Sequence, residues 1–411
     1  PVLCAWMKQL TENRQSKNII LNFLVKKILL VSGHNLSRHI LSQKPCAESY
    51  LEGRMKKKAM SFLAPEALTI CHGEKWERLR SFNENVLCAG EPHVYRQAFL
   101  ERVRDVFSSP VTDIEDIRRR MGRVMLDIVF GAEAKAPGHL SKDVQVLFGL
   151  VQSPVKRLFL GFKEKKRREK FYENRRELWK SAAESKQPSL LARAHEFAGE
   201  NDEDELIQQI PHWMFTFTGS ASDLLTRTLA LLTAREESRA RVLSEIASTG
   251  SLDEASTIDR LDYLDACFSE SARLFSPVPL TFHCAPQGDN FEGAQIPAQM
   301  EILHYFPLNQ RDSARDSTAD SFLPERWLKE DSTAFSDYPN LFLSGKRACP
   351  GRELILFVCK SALATLLEKK NLQIESDKIS TDPLPFSLDE EKLRFRANVG
   401  HSENVLSEKE R

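Results

Sequence analysis

Residues 342–351 read Phe342-Leu-Ser-Gly345-Lys-Arg347-Ala-Cys349-Pro-Gly351, and a strong apolar helix pattern follows at once, from Pro350 to about Lys369. A cysteine in a loop that opens into a helix has its sulfur near the positive end of the helix dipole and near amide N–H groups without partners. Both favour the thiolate, the form that ligates metals. The flanking Gly345 and Gly351 suit a tight turn and close approach of a flat ligand. Arg347 adds a fixed cation two residues before the sulfur, able to pair with a carboxylate. An isolated cysteine of this kind is most often a buried thiol, so the rest of the chain must decide.

The chain has 411 residues, with 58 Lys+Arg against 58 Asp+Glu; 28% of residues are charged and 41% hydrophobic. This is globular composition, which excludes a disordered chain or a disulfide-stapled scaffold. Zero net charge argues against a general nucleic-acid binder. No apolar run is long enough to span a bilayer, since Ile19 to Val31 is broken by Asn22, Lys26 and Lys27. Eight scattered cysteines form no CxxC pair and read as reduced thiols. We expect a cytoplasmic protein; because the chain starts at Pro1, a membrane anchor removed upstream is the alternative.

Residues 18–33 carry two apolar runs around Lys26-Lys27, which predicts a hairpin with the lysines at or near its turn. Helical spacing dominates from Leu36 to about 275, over 100–107, 114–130, 163–185, 204–234, 236–246 and 264–275. Between 276 and 348 repeated prolines leave loops and short strands. The tail predicts a strand pair. The basic run Lys163 to Arg168 has Glu164, Glu169 and Glu173 interleaved and reads as a solvated helix face. The expected class is mainly α with a minor β region, in one unit over 1–411.

The pattern Phe-x-x-Gly-x-Arg-x-Cys-x-Gly at 342–351 resembles the haem-binding loop of the cytochrome P450 family, matching every fixed position. Other segments follow in order. Glu270-Ser-Ala-Arg273 is similar to the family's Glu-x-x-Arg helix, and Pro324-Glu-Arg326-Trp327 to the segment whose arginine completes that ion-pair network. Alone, Glu270 and Arg273 would be an ordinary i,i+3 pair. Trp76-Glu-Arg-Leu-Arg80 resembles the helix that sets an aromatic and a cation against a haem propionate. His283 falls where the family has an Arg or His on the other propionate. The resemblance implies a P450 fold around haem b (iron protoporphyrin IX), with Cys349 as axial ligand and Phe342, Gly345, Arg347 and Gly351 completing its loop. It implies Glu270, Arg273 and Arg326 as structural supports. In size the chain is nearest the soluble bacterial members.

One departure stands out. The family's central distal helix carries Ala/Gly-Gly-x-Asp/Glu-Thr, and here 217–223 read Phe-Thr-Gly-Ser-Ala-Ser-Asp. Alignment keeps Gly219, puts Ser222 at the alcohol and leaves Ala221 at the acid. A register shifted by two would make Asp223 the acid but lose the alcohol. The 3-4-3 spacing of His212, Phe215, Gly219 and Ser222 predicts one shared helix face. With Phe82, Val278, Leu280 and Phe282 by family position, these imply a small, largely apolar organic substrate.

The resemblance implies a monomeric haem-thiolate monooxygenase, in keeping with secondary metabolism, fed by a ferredoxin or a flavin reductase. Lys346, Arg352, Lys75 and Arg78 are candidates for a basic patch facing that donor. The alternative, motivated by Ala221, is a peroxygenase, isomerase or dehydratase on the same fold; a non-catalytic haem-binding or gas-sensing protein is the third reading.

Overall fold

The computed structural model describes residues 18–23, 26–134, 136–185, 187–328, 338, 342–368, 371–374, 379 and 384–398. Among these, helices dominate and the main sheet is small. Its five strands run in the order β1-β2-β7-β4-β3. They are β1 (Asn18–Phe23), β2 (Lys26–Val31), β3 (Leu51–Glu52), β4 (Leu280–Ala285) and β7 (Met300–Tyr305). Two ribbons are separate: β5 (Asp289–Phe291) with β6 (Ala294–Ile296), and β8 (Asn371–Ile374) with β9 (Phe395–Asn398).

The expected hairpin is present, but Lys26 and Lys27 are already strand, paired with Phe23 and Asn22. Residues 24–25, between the strands, lie outside the described residues, as does Lys369. β7 is buried at every position because it runs parallel to β2 on one side and antiparallel to β4 on the other. It brings β1 and β2 into one sheet with β4.

The helix Ile114–Phe130 matches its expected span. Asp113 caps it by accepting from the Asp116 amide at 2.9 Å, and Gly131, at φ +91°, ends it. Gly122 lets it lie close to its neighbours, since a Cβ there would collide with Ser141 Oγ. The helix Asp262–Leu274 begins against Glu245, whose carboxylate accepts the Tyr263 and Leu264 amides at 2.6 and 3.0 Å. The helix Arg352–Glu368 is buried from Leu354 through Leu367 and sits within the main core.

The basic run opens the helix Lys165–Glu184 as a mixed-charge face. Arg167 pairs with Glu164 at 2.6 Å and Asp143 at 2.7 Å. The largest departure is in the expected 204–234 helix, which is four pieces: Glu203–Ile207, Ile210–Thr216, a π turn at Phe217–Ala221, and Ser222–Ala234. Pro211 sits in the first turn of the second piece, where its missing N–H costs nothing. Among the described residues no helix is long and apolar enough to cross a membrane.

Candidate functional site

The cysteine loop is built from two local constraints. Gly345 has φ +57°, and a Cβ there would meet Ser42 Cα at 2.7 Å. The Cys349 amide donates to the Phe342 carbonyl at 2.8 Å, closing the loop on itself. Gly351 is buried, and a Cβ there would touch Leu87 at 3.6 Å. Trp76 and Arg80 lie on the helix Gly73–Leu87. Arg80 reaches across to the loop, donating to the Ala348 carbonyl at 2.5 Å and to Glu84 at 2.6 Å. The helix Gly73–Leu87 thus meets the loop at the residue before the sulfur.

The thiol's electrostatics correct an expectation. Burial pushes the Cys349 thiol above its ordinary value, and the Gly351 amide and the Arg80 guanidinium pull it down without prevailing. The helix proper starts at Arg352, so its dipole acts from a distance while desolvation acts on the sulfur itself. A bound cation would supply what the dipole does not.

Arg347 is 6% exposed. It donates through Nη1 to Glu52 at 2.6 Å, through Nε to the Gln43 carbonyl at 3.1 Å, and through Nη2 to the Tyr50 carbonyl. These bonds pin the loop to the 43–52 segment and use three of five guanidinium donors. His283, on β4, is 1% exposed, and neither ring nitrogen has a hydrogen-bond partner. Burial, then Arg347, His304 and Lys56, hold its imidazole neutral. The sequence reading missed His304, which lies beside His283 with ring centroids 5.0 Å apart.

The support network is centred on a buried ion pair. Glu270 and Arg273 are fully buried and joined by two bonds of 2.8 Å. Arg326 donates to Glu270 at 3.1 Å, Trp327 Nε1 at 2.9 Å and the Leu323 amide at 2.9 Å. Arg273 also donates to the carbonyls of Gln310, Ala319 and Ser321. Asp316, held well below the usual carboxylate range by bonds from Tyr338 and Thr318 and by Arg326, anchors the far side of Arg326 at 2.9 Å.

On the distal helix the π turn overturns the shared face expected from 3-4-3 spacing. Ser222 is fully buried, and its Oγ donates to the Phe217 carbonyl, five residues back, at 2.7 Å. Ala221 is also buried, its carbonyl 3.7 Å from Cys359 Sγ. A π turn holds more residues per turn, so positions after it lag in angle behind an α-helical projection. The half-buried stripe is instead His212, Phe215, Thr216, Gly219 and Ser220. A Cβ at Gly219 would meet nothing within 4 Å, so this face borders open space. Ser220, which the sequence reading passed over, has its Oγ on the Thr216 carbonyl at 3.3 Å. Asp223 is taken by Arg118 at 3.2 Å, with Arg227 at 3.9 Å, which removes the shifted register.

The expected pocket residues do not form one contiguous wall. His212 packs edge-on against Phe215 at 4.7 Å, and Phe215 stacks on Phe148 at 3.9 Å. Phe82 lies in the core, stacked on Trp213 at 6.3 Å. Leu280 and Phe282 alternate with His283 on β4 and pack beside Leu303 and Tyr305 on the opposite sheet face. Val278, ahead of the strand, is 54% exposed. The expected basic patch is reduced: Lys75 pairs with Glu66 and Glu205, and Arg78 with Glu205 at 2.6 Å.

The family model described as Cytochrome P450 matches residues 163–396. A cytochrome P450 monooxygenase, cpaH, from Aspergillus oryzae is 34% identical over 153 residues, 35% of this chain and 30% of that protein. Cytochrome P450 84A1 from Arabidopsis thaliana is 29% identical over 160 residues, 38% of this chain and 31% of its own length. The matched stretch therefore spans about a third of these curated relatives. The crystal structure of P450BioI, in complex with an acyl carrier protein ligated to hexadec-9Z-enoic acid, superposes with a TM-score of 0.72 at 14% identity. It covers 96% of this chain and 97% of that one, which is likeness of fold. A model match over more than half of a chain with this fold makes it a member of the cytochrome P450 family.

Proposed function

We propose that the protein is a haem-thiolate monooxygenase, one domain in extent, that inserts an oxygen atom into a small, largely apolar organic molecule. The observation that carries this is the closed loop around Cys349, which presents a half-buried thiol with Arg80 bonded to the residue before it. The residues present fit a haem: His283 is buried with both nitrogens unpartnered, and Arg347 keeps two N–H groups beyond its three described bonds. Both features fit a propionate carboxylate.

A bound haem would supply an iron for oxygen chemistry, with electron density from the cysteine thiolate. Cys349 would ligate that iron through Sγ, with the Gly351 amide and Arg80 steadying the sulfur's charge. Trp76, Arg80, His283 and Arg347 would hold the propionates; Phe342, Gly345 and Gly351 shape the loop. Glu270, Arg273 and Arg326 keep the underlying fold rigid. On the distal side Ser222 holds its proton on the Phe217 carbonyl, while Ser220, next to Gly219, offers a second hydroxyl on the half-buried face. Gly219 and Ser220, small and on the half-buried face, leave room for the substrate beside them. Electrons come from a separate donor, a ferredoxin or flavin reductase.

Ala221 favours a second reading, use of peroxide or rearrangement without external electrons. No carboxylate stands at that position, and the nearby Asp223 is bound to Arg118. Proton delivery then falls to the two serine hydroxyls, ordered water or the substrate.

The reduced, carbon-monoxide-bound spectrum tests both. Wild type is expected to show the red-shifted Soret band of thiolate ligation, and Cys349→Ala to lose it. If the band persists in Cys349→Ala, the axial assignment is wrong. With ligation established, product from dioxygen, donor and reductant supports the monooxygenase; product only from peroxide supports the second reading.

A further inference from the structure

The molecule encloses a polar cluster that its own atoms leave unsatisfied. In the β4–β7 ladder His283 pairs with Ile302 and Thr281 with His304, so the two histidines lie diagonally on one sheet face. Their planes meet at 61°, and His304 is 0% exposed. None of the four ring nitrogens has a hydrogen-bond partner. A neutral imidazole carries one N–H donor and one acceptor nitrogen, so the pair buries two donors and two acceptors unmet. Such groups cost their full desolvation when left alone. Arg347 lies close enough to act on both rings, and Lys56 acts on His283. Glu52 offsets only part of that positive charge, through Arg347 and Lys56. Two adjacent N–H donors beside a guanidinium form an acceptor's site, and a carboxylate satisfies both donors with its two oxygens.

We propose that His304 binds the same haem propionate as His283, so that an imidazole pair beside Arg347 holds that carboxylate. This rests on the haem reading above. The sequence gives His304 no motif; only the sheet register places it there.

The test is a binding cycle. Haem-free wild type, His304→Phe and His304→Gln are titrated with haem b and with its dimethyl ester, which lacks free carboxylates, and followed at the Soret band. His304→Phe is expected to weaken haem b by about tenfold to a hundredfold, the range for losing a supporting ligand contact. It is expected to leave the ester within about twofold, with His304→Gln between wild type and Phe. Melting adds a reading of opposite sign: His304→Phe should stabilise the haem-free protein, by removing an unmet polar group, and reduce the gain on loading. Equal losses for haem and ester would make His304 a packing residue, and unchanged haem b affinity would leave it to internal water; either overturns the proposal. Should His304→Phe not fold, His304→Gln decides by the same comparison. A wild type that binds no haem at all defeats the haem reading itself. The spectrum of Cys349→Ala reports on the axial ligand separately.

Discussion

At Glu270, one carboxylate with no solvent contact accepts from five donors: two on Arg273, one each on Arg326 and Trp327, and the Leu323 amide. Sequence spacing alone equates it with any helical i,i+3 pair, worth a few tenths of a kcal/mol. Burial changes its weight, because removing one partner strands the others' charge. Glu270→Gln should cost about 3–5 kcal/mol in a denaturant melt. The exposed Lys44–Glu77 pair, with both side chains about half exposed, serves as the control: Glu77→Gln should shift stability by no more than about 0.5 kcal/mol. Similar small effects for both would show that the buried network is not structural. Gly345 illustrates the same scale from the backbone side: its positive φ and the 2.7 Å approach to Ser42 admit no side chain, whatever the chemistry of the loop.

At the scale of the element, the distal helix decides most. Apolar spacing places helical structure over 204–234 but not its breaks, since spacing assumes a constant 3.6 residues per turn. The π turn at Phe217–Ala221 breaks that assumption and moves Ser222 into the interior, while Gly219 and Ser220 take the half-buried face. Gly219→Ala tests this directly. In the haem-free protein the new methyl meets nothing, so stability should stay level or rise by up to about 1 kcal/mol through helix propensity. In the loaded protein the same methyl should hinder ligand binding on the distal side, measured as a slower carbon monoxide association rate. A large loss of haem-free stability would mean the π turn itself requires glycine.

Across the whole molecule, buried histidines set the response to acid. Burial lowers His93 to about 4 and His304 to about 3. His93 shows why: its Nδ1 accepts the Tyr95 amide at 3.1 Å and its Nε2 donates to the Val86 carbonyl at 3.1 Å, an arrangement that protonation breaks. The unfolded chain takes up these protons near pH 6.5 while the folded chain resists. Stability contributed by neutral burial is therefore complete above about pH 6.5 and declines as pH falls toward 4. His93 alone should account for roughly 3 kcal/mol of that decline. Denaturant melts of the haem-free protein between pH 7 and 4 check it, and His93→Gln should flatten the slope. A stability independent of pH over that range would refute neutral burial.

The cysteine loop, the Glu-x-x-Arg pair and most helix spans were legible in the sequence because each is local: a turn needs glycine, a helix needs periodicity, and a motif keeps its residues within a few positions. What only the tertiary structure decided is what brings distant residues together or takes them apart. Sheet register sets His304 beside His283, although 21 positions separate them in sequence. Folding also assigns Lys75 and Arg78 to Glu66 and Glu205, and Asp223 to Arg118, before any partner or proton can claim them. The thiol of Cys349 follows the same rule. Its helix is written in the chain, but the desolvation that outweighs the dipole depends on everything packed around the sulfur.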